Sequence, residues 1–358
     1  MARYPGEEND RRFDRAALVE ATTAIFVGAG MSREDAFTVA DSLVEADRRG
    51  IHSHGVLRVL DYVKKLTVDG VDPEARPVIV RSDGAAIVVD GKNSLGQIGG
   101  VFAMDHAIER ARSVHVAFAA LGGSNHCGAM DYYTLRAARA GMIGISGTNA
   151  LPTMAPWGGT DKIVGLNPLS VAIPTEGTPL VLDIALGATA HGKIRVYAQK
   201  GEPIPAGWAF DAEGRETTDA QAALEGLIQP IGAFKGIGLA MIVGLLSSLL
   251  SGAGYGLETG NMVDGAVSGV DAQFHAAINI AGFQDEATVR ARLSGIVAAF
   301  EASARAPGVD AIYAPGSLEA AMAADYDASG IPLNAGTLAT IREAAASVNV
   351  ATPLFAET

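Results

Sequence analysis

The segment RRGIHSHGVLRV, residues 48–59, lies between two stretches of helical character and contains two histidines, a serine and an arginine. The pattern of residues 11–48 predicts two helices. The apolar face of the second consists of Ala36, Val39, Ala40, Leu43 and Val44. Gly50 interrupts this pattern, and a third helix is expected to begin near Ser53 or His54 and to end at the turn residues DGVDP. The N-terminal part is therefore predicted to form a helical lobe.

From about residue 78 the pattern changes to short β-branched runs bounded by glycine, such as PVIVRSDGAAIVVDG and MIGISGTN. A long segment, KGIGLAMIVGLLSSLLSGAG, is apolar nearly all round and predicts a buried helix. Further helices are expected at residues 98–112, 128–140, 285–306, 316–325 and 335–346. This order predicts an α/β fold in which the terminal helices pack together around a central sheet domain.

Composition and charge narrow the class of protein. The 358 residues are 49% hydrophobic and include 43 glycines, which is typical of an α/β enzyme with a large core and tight turns. The net charge of −13, with no basic run, argues against nucleic acid or an anionic membrane as the main partner. The longest apolar run, residues 237–250, is expected to be too short and too rich in Gly and Ser to span a bilayer.

Compartment is inferred from the first residues and from the cysteine count. The opening MARYPGEENDRRFDR has no apolar stretch, so we expect no secretory signal. The single cysteine, Cys127, excludes an internal disulfide framework and any zinc site that needs several thiolates. A soluble, cytoplasmic protein is expected.

The glycines of VGAGMS, residues 27–32, do not form a Rossmann fingerprint. The flanking residues are helical in period, no strand precedes the glycines, and no acidic residue ends a second strand at the required distance. We expect Gly28 and Gly30 to end a helix instead. A dinucleotide, if bound, would need a different type of site.

The pair His52 and His54, with Ser53 between them, allows three chemistries. A metal site would need further ligands, of which His126 is one candidate, and a nucleophile at Ser53 would lack the glycines of a nucleophile elbow. In the third interpretation Arg58, one helical turn after His54, binds a carboxylate while the imidazole exchanges a proton with a neighbouring oxygen. We favour this one. Ser53 is then expected to cap the third helix, whose dipole would favour neutral His54.

Three further polar residues stand at the ends of predicted strands or helices. His126 lies in the turn GGSNHCGAMDYY between a strand and a helix, where catalytic groups are common, and Cys127 beside it is interpreted as packing. Asp183 ends the strand LVLDIA and could accept a hydrogen bond from a ribose hydroxyl. Lys235 stands among glycines before a helix, where a phosphate could bind.

Seven motifs together resemble those of the malate/L-lactate dehydrogenase family, a group distinct from the Rossmann-type lactate and malate dehydrogenases. It includes ureidoglycolate, sulfolactate and diketogulonate oxidoreductases and cyclic-imine reductases. The motifs are DRRGIHSHGVLRV, SNHCGAMDYY, GMIGISGTN, GLNPLSVAIPT, LDIALGATAHGKI, IPAGWAFDAEG and FKGIGLAMIV, and the resemblance extends from about residue 13 to 345. It implies a homodimer with a non-Rossmann α/β fold, in which a mostly antiparallel central sheet domain is flanked by helices from both termini.

The resemblance also implies two lobes and assigns roles to residues. A helical lobe for substrate binding and dimerisation would comprise residues 1–118 with 305–358, and residues 119–304 would form a sheet domain that binds NAD or NADP. The implied catalytic residues are His54, Ser53, Arg58 and His126, with Arg58, His126 and Thr148 near the substrate. The implied cofactor contacts are Asp183, Ile184, Ala185, Lys235, Gly236, Pro315 and Gly316. No metal site is implied.

Two departures from the family pattern bear on function. Lys193 stands where cyclic-imine reductases carry an acid, and the loop IYAPGSLEAAM differs from the commoner Pro-Gly-Glu form, which leaves NAD or NADP open. We therefore predict hydride transfer between NAD(P) and a small 2-hydroxy or 2-oxo carboxylate such as malate or lactate. His54 would be the proton donor and acceptor, with Arg58 on the carboxylate. The alternatives are a cyclic-imine reductase, a binder without turnover, and a metal-dependent hydrolase using His52, His54 and His126.

Overall fold

The computed structural model describes residues 9–260 and 267–356. Its α-helices are α1 (Arg15–Gly28), α2 (Arg33–Arg48), α3 (Val59–Thr67), α4 (Gly96–Val114), α5 (Asp131–Arg139), α6 (His191–Lys200), α7 (Ala220–Glu225), α8 (Phe234–Ser251), α9 (Glu286–Glu301), α10 (Ser317–Ser329) and α11 (Ala335–Ser347). Its strands are β1 (Arg11–Phe13), β2 (Val78–Asp83), β3 (Ala86–Asp90), β4 (Val116–Ser124), β5 (Met142–Thr148), β6 (Pro152–Met154), β7 (Val164–Gly165), β8 (Leu169–Ile173), β9 (Leu180–Ile184), β10 (Ala209–Phe210), β11 (Glu216–Thr217), β12 (Leu227–Ile228), β13 (Asp271–Asn279) and β14 (Ile331–Leu333). Residues 1–8, 261–266 and 357–358 lie outside the described residues. The first of these ranges is part of the stretch from which we expected no secretory signal, and all three belong to the predicted lobes.

Helices from both ends of the chain form one lobe. The apolar faces of α1, α2, α3, α10 and α11 share a single buried core, and β1 pairs with β14 in an antiparallel ribbon. Helix α1 begins where the Asp14 carboxylate accepts a hydrogen bond from the Ala17 N–H, and its last residue is Gly28. The prediction that the glycines of VGAGMS end a helix is therefore confirmed. The packing of the terminal helices against each other is confirmed as well.

The central sheet has seven strands in the order β2-β3-β4-β13-β5-β8-β9. Only the β3–β4 pair within this sheet is parallel, and the others are antiparallel. The predicted fold class, α/β with a mostly antiparallel central sheet flanked by terminal helices, is confirmed. The sheet nevertheless crosses the lobe boundary predicted at residue 118, because β2 and β3 belong to it. The functional division between the lobes stays a prediction.

Successive side chains of β13 point to opposite faces of this sheet. Phe274 packs into the core beneath α8, whereas the adjacent His275 contacts the ring of Tyr133 on α5. Helices α4 and α5 therefore cover one face and α8 the other. The turn that follows β4 and precedes α5 opens at the edge of the helical lobe, where the candidate site lies.

Helix α8 is less buried than its composition suggested. It packs against β4, β5 and β13, but its outer face stays exposed, which corrects the prediction of a buried helix. The outer apolar residues, each more than half exposed, are Leu239, Ile242, Leu249 and Leu250. By length and composition alone, this 18-residue helix suffices to cross a membrane, so the argument that its apolar run is too short does not hold. Its contacts in the structure are with the sheet.

Candidate functional site

The HSHG segment folds as two short 3₁₀ turns, His52–His54 and Val56–Arg58, and α3 begins only at Val59. The prediction that Ser53 caps a helix starting at His54 is therefore wrong, and neither turn is capped by the side chain of the residue that precedes it. The buried Asp47 carboxylate accepts hydrogen bonds from the Val56 N–H and lies 2.7 Å from His52 Nδ1. A side chain at Gly55 would collide with this carboxylate, so the tight turn needs glycine.

His54 is held at Nδ1 and open at its other nitrogen. Ser53 Oγ lies 3.0 Å from Nδ1, and Nε2 has no hydrogen-bond partner among the described residues. Partial burial, and then the positive charge of Arg58, lower the pKa of His54 to about 4. The neutral form is favoured, as the sequence predicted. The cause differs, because burial and a cation act here in place of a helix dipole.

Arg58 lies beside His54 with part of its guanidinium unused. Its Nε donates to the Ser53 carbonyl at 2.8 Å, and Nη1 donates to the Asp61 carboxylate at 3.1 Å. Nη2 has no hydrogen-bond partner in the part of the chain that the structure describes. These contacts orient the guanidinium plane while one edge remains available for an anion.

His126 approaches His54 from the sheet domain. The two imidazole rings are stacked, with centroids 5.8 Å apart and planes 12° from parallel. His126 Nδ1 lies 2.7 Å from the Tyr62 hydroxyl on α3, which in turn accepts a hydrogen bond from Gln97 Nε2 at 2.9 Å. Burial, then the nearby His54 and Arg58, lower the pKa of His126 well below its usual value. The structure thus brings His54, Arg58 and His126 together.

Tyr62 and Gln97 were missed by the sequence reasoning. Tyr62 sits on the predicted third helix and Gln97 at the start of α4, and both are buried with their side chains directed at the back of His126. The spacing of apolar residues assigned these segments to helices but gave no indication of this contact. A buried glutamine in an apolar segment is the only signal that could have drawn attention to it.

The structure does not support a metal centre. The His52 ring faces Asp47 on the helical lobe, and only His54 and His126 face each other. Within residues 9–260 and 267–356, no group of three histidine, cysteine or acidic side chains is arranged to hold a metal ion. The alternative of a hydrolase using His52, His54 and His126 therefore finds no support in the geometry.

Thr148 and Cys127 lie beneath this site. The Thr148 hydroxyl, at the end of β5, donates to the Ala272 carbonyl at 2.7 Å, so its hydrogen is directed into the sheet. Burial raises the pKa of Cys127 to about 12, in line with the interpretation of this thiol as packing. The implied substrate contact of Thr148 stays a prediction.

Asp183, at the end of β9, links the cofactor side of the site to the His126 turn. Its carboxylate accepts a hydrogen bond of 2.8 Å from the N–H of Asp131, the first residue of α5. Asp131 in turn forms a buried ion pair with Arg49, 2.7 Å apart. Burial and the neighbouring Asp131 carboxylate raise the pKa of Asp183 well above its usual range. This hydrogen bond joins Asp183 to a residue five positions after His126, and the implied ribose contact stays a prediction.

Three separate segments with implied cofactor contacts meet around β9. The Ile231 N–H donates to the Leu186 carbonyl, which places the approach to Lys235 and Gly236 beside Ile184 and Ala185. The Val181 N–H donates to the Pro315 carbonyl at 3.1 Å, which brings in Pro315 and Gly316. These residues are far apart in sequence, and the sheet assembles them along one strand.

The start of α8 suits a phosphate group. Helix α8 has no side-chain cap and no acidic residue in its first turn, and Lys235 is exposed with no partner among the described residues. Gly236 packs against the Ile231 backbone so closely that a Cβ would collide with it. An exposed lysine beside an uncapped helix N-terminus fits the pyrophosphate of a dinucleotide. Ala185, directly after β9, has a small and exposed side chain and leaves space for such a ligand.

Comparison with known proteins is consistent with this arrangement. The sequence profile described as malate/L-lactate dehydrogenase matches residues 13–342. The chain is 36% identical over 352 residues to a malate dehydrogenase of Pyrococcus abyssi, with 96% of this chain and 97% of that protein covered. It is 36% identical over 290 residues to a ureidoglycolate dehydrogenase (NAD(+)) of Escherichia coli O157:H7, covering 80% and 82%. The solved sulfolactate dehydrogenase of Methanocaldococcus jannaschii superposes with a TM-score of 0.89 at 31% identity, covering 95% and 98%.

Proposed function

This chain belongs to the malate/L-lactate dehydrogenase family, and from that premise we propose that it transfers a hydride between NAD or NADP and a small 2-hydroxy or 2-oxo carboxylate. The observation that carries the proposal is the convergence of His54, Arg58 and His126. The turn of His126 leads into α5, whose first residue donates a hydrogen bond to Asp183. Two imidazoles and a guanidinium suit an acid with an oxygen on the adjacent carbon.

The carboxylate of the substrate binds Arg58. Contacts with Ser53 and Asp61 fix the guanidinium, so the open Nη2 edge has one orientation in which to receive an anion. A carboxylate held there presents its neighbouring carbon to the two imidazoles. Orientation of this carbon is the main contribution of the arginine to the reaction.

The proton is exchanged at the oxygen on that carbon. In the reducing direction, hydride addition turns the carbonyl oxygen into an alkoxide. The bound carboxylate offsets the charge of Arg58, so His54 can take up a proton, and the resulting imidazolium gives its Nε2 proton to the alkoxide and is left neutral. Ser53 at Nδ1 keeps the imidazole in position for this transfer. In the oxidising direction the same nitrogen takes the proton back. The bound nicotinamide supplies the hydride chemistry, for which Asp183, Ile184, Ala185, Lys235, Gly236, Pro315 and Gly316 would hold the cofactor.

We propose further that the protein is a cytoplasmic homodimer. The four leucine and isoleucine side chains on the outer face of α8 form an apolar stripe, and a second copy of the chain would bury it. This interface would lie on the sheet domain and not on the helical lobe, to which the family resemblance assigned dimerisation. An anionic membrane is disfavoured as the covering surface, because the net charge is −13.

The test follows NADH and NADPH absorbance with pyruvate, oxaloacetate, other 2-oxo acids and a cyclic imine, with a chelator added in parallel. We expect turnover of at least one 2-oxo acid that is insensitive to the chelator and falls by about 100- to 10,000-fold in His54→Ala. His106→Ala, at a histidine on α4, is the control. Turnover of the imine alone would contradict the substrate class, and loss of activity with the chelator would contradict the mechanism.

A further inference from the structure

A chain of buried groups lies behind His126. Gln97 is fully buried and Tyr62 is 1% exposed, and their side chains connect α4 through α3 to the Nδ1 atom of His126. Neither side chain contacts the open Nε2 edge of His54. Among the described residues, their hydrogen bonds lead toward the site only through His126.

The hydrogen-bond directions in this chain follow from the orientation of the Gln97 amide. Gln97 Nε2 donates to the Tyr62 oxygen, so the Tyr62 O–H is directed to His126 Nδ1, which must accept. The Gly128 N–H also points at Nδ1, at 3.3 Å. A proton on Nδ1 would face both donors, and Nδ1 therefore carries none. In a neutral imidazole the proton is then on Nε2, the opposite edge of the ring.

We propose that Tyr62, oriented by Gln97, is a positioning residue that fixes His126 as its Nε2–H tautomer, so that His126 holds the substrate oxygen as a hydrogen-bond donor and leaves proton exchange to His54. This inference rests on the proposed function for the identity of the oxygen. The tautomer itself does not depend on that function.

The alternative, in which His126 is the proton donor, has a chemical obstacle. If His126 gave its Nε2 proton to the alkoxide, Nδ1 would need the Tyr62 proton to stay neutral, and a tyrosinate would remain. Burial raises the pKa of Tyr62 well above its usual value, which makes that anion unfavourable. His54 faces no such obstacle, because the Ser53 hydroxyl at its Nδ1 can accept a hydrogen bond as well as donate one. His54 can therefore carry a proton on both ring nitrogens and is left neutral when it gives up the proton on Nε2. Tyr62 thus keeps its proton throughout the cycle.

The tautomer is measured by nuclear magnetic resonance of protein labelled with ¹⁵N-histidine, at a pH where His126 is neutral. His126→Asn identifies the signals of this residue. We expect wild-type His126 to show an unprotonated Nδ1 and a protonated Nε2. A proton on Nδ1 would show that the Gln97 amide is reversed and would overturn the proposal. This readout needs neither substrate nor turnover.

Tyr62→Phe tests the positioning role. We expect the Nδ1 signal to shift as its hydroxyl donor is lost, and kcat to fall by about 10-fold with a smaller change in the KM for the 2-oxo acid. The pH at which His54 titrates in the kcat profile should stay the same. Tyr132→Phe removes a comparable hydroxyl, which donates to Asp41, and should leave the His126 signals unchanged.

Three outcomes separate the claims. An Nδ1 signal that does not move in Tyr62→Phe would remove Tyr62 from the mechanism. A kcat profile whose ionisation moves in Tyr62→Phe, yet persists in His54→Gln, would make His126 the proton group and overturn the assignment. A wild-type enzyme with the expected tautomer but no turnover of any 2-oxo acid would contradict the proposed function and the substrate part of this inference, and leave the Tyr62–His126 contact intact.

Discussion

The imidazole rings of His54 and His126 are stacked with their centroids 5.8 Å apart, although one belongs to the helical lobe and the other to the sheet domain. The site is therefore created by the contact between the two lobes. His54 is one of the causes that lower the pKa of His126, because two cations at this distance repel each other. Only one of the two imidazoles is expected to carry a positive charge at a time.

Arg58 tests the carboxylate contact. Arg58→Lys keeps the charge but loses the planar fork, and we expect the KM for the 2-oxo acid to rise by about 10-fold. Arg58→Gln removes the charge as well and should raise it by about 100-fold, since a charge-assisted hydrogen bond contributes about 1.5–3 kcal/mol. Steady-state kinetics at saturating cofactor measure both values. Equal KM values in the wild type and Arg58→Gln would place the carboxylate elsewhere.

Lys235 tests the phosphate site at the start of α8. We expect Lys235→Gln to weaken NADH or NADPH binding by about 10-fold, because the variant lacks the ammonium group that would bind the pyrophosphate beside the helix N-terminus. Fluorescence titration of the nucleotide measures the Kd without any substrate. Lys200→Gln, at the exposed last residue of α6, is the matched control and should bind as the wild type does. An unchanged Kd in Lys235→Gln would exclude this lysine from the cofactor site.

His275 tests how the core responds to acid. It is fully buried between Ser146 and Gln273, and burial lowers its pKa to about 3. Below pH 6.5 the unfolded chain binds a proton here that the folded chain does not, so this residue costs stability as the pH falls, by up to about 1.4 kcal/mol per pH unit.

Urea unfolding at pH 7.5 and pH 5 measures this effect. We expect the stability of His275→Gln relative to the wild type to be greater at pH 5 than at pH 7.5, because the variant lacks the histidine that must stay unprotonated in the folded chain. His106→Gln should follow the wild type at both values. A difference between His275→Gln and the wild type that is independent of pH would show that folded His275 takes up a proton as readily as the unfolded chain does.

The outer face of α8 tests the proposed dimer. Ile242→Lys places a charge in the middle of the apolar stripe, and we expect the protein to become monomeric because burying an unpaired ammonium is unfavourable. Analytical ultracentrifugation gives the mass. Val68→Lys makes the same change at an exposed residue just after α3 and should leave the dimer intact. A wild-type monomer, or a dimeric Ile242→Lys variant, would contradict this interface.

The sequence predicts the helices of the terminal lobe well, because their apolar residues recur with a clear helical period and their ends carry caps such as Asp14 and turns such as Gly28. It also places His126 and Asp183 correctly at the ends of β4 and β9. These predictions depend only on local patterns, which is why they succeed.

The errors arise where tertiary contacts decide. Ser53 has the composition of a helix cap, yet the buried Asp47 carboxylate binds the following turn and delays the start of α3 to Val59. Helix α8 is apolar on all sides, and composition does not distinguish a face covered by the sheet from one that stays exposed. The contact of Tyr62 with His126 joins residues 64 positions apart, and no local pattern reports it.

The central claim is hydride transfer to the carbon beside a carboxylate, and deuterium labelling measures it directly. The enzyme is incubated with NADH or NADPH deuterated at the transferring position and with the panel of 2-oxo acids, and the products are examined by mass spectrometry and nuclear magnetic resonance. The account predicts one deuterium atom at carbon 2 of a 2-hydroxy acid, at a rate that falls with His54→Gln. A nucleotide that binds but yields no deuterated hydroxy acid from any member of the panel would contradict it.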